Sequence, residues 1–281
     1  MKNTISFQGE LGSYSHQACL DLYPTYKVNP CPTFESAIDS VTKGHSNLAM
    51  LPIENSTYGR VADIHSLLPE SELKIIKEYF LRVQICLLAL PGSSLSQIKN
   101  AVSHTVLLGQ CRGFLQSHHI KSLVGPDTAG SAKKVASSKD PTTAALASEL
   151  AGKIYGLDSL ASNIEDMNNN TTRFLIMAHE GHSTTEKIDE KEAMTTLVFE
   201  VRNLPAALYK ALGGFATNGI NMLKLESYMI GGSFTATQFY LDIEGHPEME
   251  SVKRAIDELE YFSSTVRILG VYEKHQHRPK T

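Results

Sequence analysis

The 281-residue sequence predicts an α/β protein in two parts, a larger N-terminal region holding a polar small-molecule cleft and a C-terminal βαββαβ unit. Three observations carry this. Up to about residue 180, short β-branched or aliphatic runs alternate with amphipathic stretches, the pattern of strands interleaved with helices. Between Glu180 and Ala193 the chain turns polar and charged, with Gly181, Thr184-Thr185 and a Lys187-to-Glu192 run, which marks an exposed linker between domains at 1–180 and 194–274. Beyond it, six segments follow in the order strand, helix, strand, strand, helix, strand.

Taken in order, Asn3 to Gln8 alternates Ile5 and Phe7 and predicts a first strand. Thr33 suits the N-cap of a helix that places Phe34, Ala37, Ile38 and Val41 on one stripe. Asn47 to Leu51 returns as a strand, and Leu73 to Phe80 and Arg82 to Leu90 are two more. A helix follows His104, another is opened by the cap Asp127, and Thr143 to Leu150 is expected to be helical. Phe174 to Ala178 is a strand. After the linker come Thr195 to Val201 (strand), Leu204 to Asn218 (helix, stopped by Gly219), and the strands Ile220 to Met229 and Ser233 to Ile243 around Gly231-Gly232. Glu248 to Glu258 is helical, Val266 to Tyr272 is a strand, and the tail from His275 to Thr281 is expected to fray.

Composition excludes several classes of partner. With 42% hydrophobic and 20% charged residues the chain can bury two modest cores. A net charge of −4 and no clustered basic face give no electrostatic reason to expect nucleic acid or an anionic membrane. The first residues read as a strand and not as a secretory signal, which points to the cytoplasm. The longest apolar run, Ile85 to Leu90, ends at Pro91 and is too short to cross a bilayer. Cys19, Cys31, Cys86 and Cys111 are widely spaced and read as reduced core thiols.

No glycine-rich phosphate loop, HExxH or GxSxG motif is present. His179 and His182 have helical spacing but no third ligand nearby, and His118-His119 and His275-x-His277 are no better placed, so no metal site is expected. Chemistry must use quieter polar residues at strand ends. Four segments qualify. Gly9-Glu-Leu-Gly-Ser-Tyr-Ser15 follows the first strand, with glycines for a tight turn and Ser13 as a helix cap. Pro52-Ile-Glu-Asn-Ser-Thr-Tyr-Gly59 offers the carboxamide of Asn55 and the hydroxyl of Ser56, or else a plain Asx turn. Gln110, before Cys111, supplies an amide that alone would read as a surface glutamine. Asn168-Asn-Asn-Thr-Thr-Arg-Phe174 leads into a strand with Thr172 and Arg173 at its entry, where a solvated arginine is the bland reading.

Taken together, Pro52-Ile-Glu-Asn-Ser56 with Gly59, Gln110-Cys111, Asp127-Thr-Ala129 and Thr172-Arg-Phe174, ahead of a βαββαβ unit, resemble the bacterial prephenate dehydratases from about residue 3 to 274. The resemblance implies a two-lobed catalytic region folded like type II periplasmic binding proteins, followed by a ferredoxin-like ACT regulatory domain. It implies decarboxylating dehydration of prephenate to phenylpyruvate on the route to L-phenylalanine, with no cofactor. Because the sequence opens almost directly on the first strand, the monofunctional form without a fused chorismate mutase is expected. Carried over, the catalytic threonine is Thr172, with Asn55 and Gln110 as polar partners. Ser15, Ser56, Arg173 and Phe174 line or order the substrate cleft. The effector L-phenylalanine would bind at a subunit interface of a homodimer or homotetramer, between Leu204, Ala206, Ala207 and Leu208 and the segment carrying Asn218, Asn221, Met222 and Leu223.

This chain also departs from the family pattern. Gly12-Ser-Tyr-Ser15 stands for the usual GTFS, and His104-Thr-Val for HPQ. Pro205-Ala-Ala-Leu208 stands for proline-glycine-alanine-leucine, and Glu226-Ser-Tyr-Met229 for ESRP. Arogenate as the substrate, and a non-catalytic amino-acid sensor or solute-binding protein using the same cleft, are the rival readings. The signal-free start and the intact Thr172, Asn55 and Gln110 set argue against the second.

Overall fold

A computed structural model describes residues 3–182, 188–190, 192–202, 204–229 and 236–278. The Gly231-Gly232 turn and part of the 180–193 linker lie outside the described residues. In chain order the elements are β1 (Thr4–Gln8), α1 (Tyr14–Leu22), β2 (Lys27–Cys31), α2 (Phe34–Thr42), β3 (Leu48–Asn55), β4 (Gly59–Arg60), α3 (Ala62–Leu67), β5 (Lys74–Arg82), β6 (Cys86–Ala89), β7 (Asn100–Ser103), α4 (Thr105–Gln110) and α5 (Arg112–Ser117). Then follow β8 (Lys121–Val124), α6 (Thr128–Ser137), β9 (Thr143–Ala147), α7 (Glu149–Tyr155), β10 (Asp158–Ser162), β11 (Thr171–Ala178), β12 (Ala193–Val201), α8 (Ala207–Thr217), β13 (Met222–Met229), β14 (Ala236–Glu244), α9 (Glu250–Phe262) and β15 (Ser263–Glu273). They form two compact units: the chain up to Val61 with Tyr79–Phe174, and Ala62–Glu78 with Leu175 onward.

The first unit has two α/β lobes. In one, β1 pairs in parallel with β2 and β3, placing Ile5 opposite both Val28 and Leu48, and β11 lies beyond β3. Thr33 caps α2 as expected: its hydroxyl accepts from Ser36 N at 3.1 Å while Ser36 Oγ accepts from Thr33 N at 3.0 Å, a reciprocal capping box. The other lobe is the sheet β10-β6-β9-β7-β8. The chain crosses to it after β5 and returns after β10, the two-lobed arrangement that the resemblance implies.

One expectation here was wrong. Thr143 to Leu150 is not a helix: Thr143–Ala147 is the strand β9, and Ser148 caps the helix that follows by accepting from Ala151 N at 3.1 Å. Alanine-rich sequence favours helix locally, but both faces of β9 are buried. Ala144 and Leu146 pack with Leu107, Leu108 and Leu115, and Ala145 and Ala147 pack with Ala132, Val135 and Ala151. A strand covered on both sides reads as a continuous apolar run without alternation.

The second unit carries the βαββαβ order as β12-α8-β13-β14-α9-β15, with sheet order β13-β14-β12-β15 and then the start of β5. Leu197, Phe199 and Val201 of β12 pack on Phe215 of α8 and on Val252, Ile256 and Leu259 of α9. Gly270 sits opposite Ile75, where an added Cβ would lie 2.1 Å from the Ile75 carbonyl oxygen, so only glycine admits this strand pairing. Ala206 caps α8 with φ +59°, in the left-handed region that the glycine of the commoner motif adopts without strain. Among the described residues no helix is long and apolar enough to cross a membrane. All four cysteines are buried and unpaired, and burial holds the thiols of Cys19 and Cys111 well above their ordinary pKa, hence protonated.

The tail corrects a second expectation, because residues 275–278 are fixed. Arg278 donates through Nε and Nη2 to Glu78 at 2.7 and 2.9 Å, and His275 N donates to the same carboxylate at 3.1 Å. Glu78 is fully buried, and removing the cation from a buried carboxylate leaves its charge poorly compensated. Arg278→Ala should therefore destabilise the second unit by about 3 kcal/mol in urea unfolding. A loss below roughly 0.5 kcal/mol would show that neighbours other than Arg278 carry the charge of Glu78.

Candidate active site

The loop leaving β1 touches both lobes of the first unit. Ser13 caps α1, its hydroxyl accepting from His16 N at 3.2 Å, and Gly9 and Gly12 turn the chain with φ of +114° and +89°. A Cβ on Gly12 would lie 2.8 Å from the Ala151 Cα, so glycine is what lets the loop rest on α7. Two bonds fasten it there: Ser148 Oγ donates to Gly12 O at 2.5 Å, and the Tyr155 hydroxyl donates to Leu11 O at 2.8 Å. Tyr14 donates to Gln84 O at 3.0 Å, and burial foremost, with Cys86, Cys111 and Glu165 nearby, keeps its phenol protonated.

The centre is a closed ring of side-chain hydrogen bonds. Asn55, the last residue of β3, has its Oδ1 accepting from the backbone N–H of Thr57 at 3.0 Å and of Tyr58 at 3.1 Å. Because a backbone N–H can only donate, this atom is the oxygen, and the orientation of the amide follows. Asn55 Nδ2 donates to Asn170 Oδ1 at 2.8 Å, Asn170 Nδ2 to Gln110 Oε1 at 3.0 Å, and Gln110 Nε2 to Thr57 Oγ1 at 2.7 Å. The Thr57 hydroxyl closes the ring by donating to Asn55 Oδ1 at 2.7 Å. Asn55 Nδ2 also donates to Thr172 Oγ1 at 3.0 Å. The Thr172 oxygen is thus an acceptor toward Asn55, which leaves its own proton for a different partner. Accepting one hydrogen bond makes a hydroxyl a better donor of the next.

The Asx turn and the polar cluster anticipated for Asn55 are therefore one structure. Of the residues marked in the sequence, Asn55, Gln110 and Thr172 come together, the first and last directly and Gln110 through Asn170. Gln110 is buried, not a surface glutamine. Ser56 works as a staple: Oγ donates to Asn169 O at 2.8 Å and accepts from Thr171 N at 2.9 Å, fastening the loop after β3 to the start of β11. Arg173 is 2% exposed and its Nη1 pairs with Glu54 Oε1 at 3.1 Å, so it is no solvated arginine but a buried tie between neighbouring segments. Phe174 is buried in the core, and Ser15 is buried in the first turn of α1 outside the ring. His104 caps α4, its Nδ1 accepting from Val106 N at 3.3 Å. Gly109 leaves room for Tyr58, whose hydroxyl would lie 2.8 Å from a Cβ there. Two ring members, Thr57 and Asn170, escaped the sequence reading, although each lies inside a segment that it marked.

In the second unit, Leu204, Pro205 and Ala207 line a cleft of about 520 Å³ with Arg202, Lys210, Glu260, Tyr261 and Phe262. Leu208 lies in the first turn of α8. Asn218 is engaged instead with Gly214 O at 2.8 Å and Arg254 Nε at 3.2 Å, and Asn221 with Glu244 at 3.0 Å. Met222 and Leu223 open β13. Among the described residues, the lining of this cleft includes Leu204 and Ala207 but none of Asn218, Asn221, Met222 and Leu223.

The model of the prephenate dehydratase family matches residues 5–182, the stretch that contains every member of the ring. The chain belongs to the prephenate dehydratase family of hydro-lyases. A protein of Komagataeibacter europaeus named bifunctional N-acyl-homoserine lactone acylase/prephenate dehydratase is 47% identical over 98% of each chain. Arogenate dehydratase/prephenate dehydratase 1 of Arabidopsis thaliana is 38% identical, covering 96% of this chain and 72% of its own. A solved prephenate dehydratase of Arthrobacter aurescens in complex with L-Phe superposes with TM-score 0.89 at 29% identity, over 99% of this chain and 92% of that one.

His16 gives the first unit a pH signature. It is buried, stacked on Phe7 with ring centroids 5.5 Å apart, and accepts from Gly12 N through Nδ1 at 2.9 Å. Burial lowers its pKa, so the neutral ring is the folded form. The stabilisation is present above the unfolded-state pKa of about 6.5 and is lost as the pH falls through the lower folded value. Unfolding titrations should show stability dropping below about pH 6.5, with that component removed in His16→Gln. An identical pH profile in the variant would exclude His16 as its source.

Proposed function

We propose that the chain converts prephenate to phenylpyruvate in the cytoplasm, as a homodimer or homotetramer, under feedback from L-phenylalanine bound to its C-terminal βαββαβ unit. The observation that carries the reading is the Thr172 hydroxyl, held by Asn55 as an acceptor so that its proton is left to another acceptor. In the reaction the ring carboxylate leaves as CO2, its bonding pair enters the ring, and the ring hydroxyl departs with its C–O pair and takes up one proton to become water. A threonine hydroxyl is too weak an acid to be a free proton source. Its use is as a donor whose hydrogen bond strengthens as charge develops on the departing oxygen. Gln110 retains a second Nε2 hydrogen outside the ring, available to a substrate carboxylate. For feedback, the support is the L-Phe complex of the Arthrobacter relative and a cleft whose lining includes Arg202, Lys210 and Glu260, charges of both signs suited to an amino-acid zwitterion.

Two further activities have specific support. Arogenate is favoured by the Arabidopsis relative, and amide hydrolysis of N-acyl-homoserine lactones by the Komagataeibacter relative at 47% identity. Incubation of purified protein with prephenate, arogenate and N-acyl-homoserine lactones, with and without L-phenylalanine, separates them by product: phenylpyruvate, phenylalanine or free fatty acid. Phenylpyruvate formation that L-phenylalanine reduces is expected, whereas turnover of neither prephenate nor arogenate would refute the proposal. Thr172→Val should lower kcat roughly a hundredfold with little change in KM. Undiminished turnover in that variant would remove Thr172 from the chemistry.

A further inference from the structure

We propose that Thr57 and Asn170 are positioning residues for the reaction, setting through Asn55 the direction in which Thr172 offers its proton. The inference rests on the reading of Thr172 as donor to the departing oxygen. Asn170 is 1% exposed, so it does not present its amide to a ligand in the cleft. A buried carboxamide is costly unless its groups are paired, and here both ends are used within the ring: Oδ1 accepts from Asn55 and Nδ2 donates to Gln110. Thr57 is equally committed, accepting from Gln110 and donating to Asn55.

What these two residues control is a torsion. The terminal χ2 of asparagine is broad, with no staggered wells to hold it. The turn N–H groups fix which end of the Asn55 amide is oxygen, but they lie on one side only. The Thr57 hydroxyl grips the oxygen end and Asn170 grips the nitrogen end, and Gln110, on α4 of the other lobe, joins the two grips. Without them Nδ2 has a competing acceptor: the Thr171 carbonyl lies 3.3 Å away against 3.0 Å for Thr172 Oγ1. An amide that swings toward that carbonyl stops donating to Thr172. The hydroxyl then gains freedom to turn its proton back on the amide or on the main chain.

Thr57 is the sharper probe, because valine keeps its shape and deletes only the donor and acceptor, while serine restores both. Purified Thr57→Val should lose roughly tenfold in kcat on prephenate with KM within about twofold, the size expected when a neutral hydrogen bond is removed. Thr57→Ser should return to within about twofold of wild type. In a Thr172→Val background the Thr57→Val change should cost less than about twofold, because its effect passes through a hydroxyl no longer there. Asn170→Ala should follow the same pattern, with its thermal midpoint measured alongside because its site is buried. Wild-type protein inactive on prephenate and arogenate would overturn the functional reading and this inference with it. An active wild type whose Thr57→Val variant keeps full kcat, loses it without rescue by serine, or loses it equally in both backgrounds would overturn this inference alone.

Discussion

Two main-chain N–H groups, those of Thr57 and Tyr58, converge on one oxygen, Asn55 Oδ1, and the hydrogen bonding of the candidate site is ordered by that convergence. Side-chain amides can be reversed at little cost in shape, but backbone donors cannot accept. Once the oxygen end of Asn55 is assigned, Asn170, Gln110 and Thr57 have one consistent arrangement of donors and acceptors, and Thr172 receives a hydrogen bond in place of making one. The site is thus oriented by a tight turn, a local feature of the segment Asn55-Ser-Thr-Tyr58.

The other ring members reach that turn from separate elements of the first unit. Asn55 comes from the end of β3, Gln110 from α4 of the second lobe, and Asn170 and Thr172 from the segment by which the chain returns between lobes. Ser56 bonds that segment at two points, and Arg173 pairs with Glu54 beside it. Gly12 permits the loop after β1 to rest on Ala151 of α7, so a single absent methyl group sets how closely the two lobes approach at this edge. Such packing matters to catalysis because donors aimed in advance need no rearrangement as charge develops.

Much of this was legible in the sequence where the signal is local. Thr33, Asp127 and Ser13 cap the helices that they were expected to cap, since a cap depends on residues three positions apart. The βαββαβ order emerged from turn chemistry and strand alternation. Signals set by distant residues were not legible. Thr143–Ala147 looked helical because nothing local reveals two layers of helix burying both its faces. Arg278 looked like part of a frayed tail because Glu78, its partner, lies 200 residues earlier. Asn170 and Thr57 were passed over for a related reason: in a run of three asparagines or beside Asn55 and Ser56, only the folded ring distinguishes the member that is buried. Arg173 likewise became a buried ion pair only through Glu54.

Neutron diffraction from crystals exchanged into D2O locates the deuterium on Thr172 Oγ1 and those on the Asn55 amide, and so decides which of the two donates. Asn55 Nδ2 is expected as the donor to Thr172, with the Thr172 deuterium pointing away from Asn55. A Thr172 deuterium lying on the line to Asn55, with the amide reversed, would contradict it.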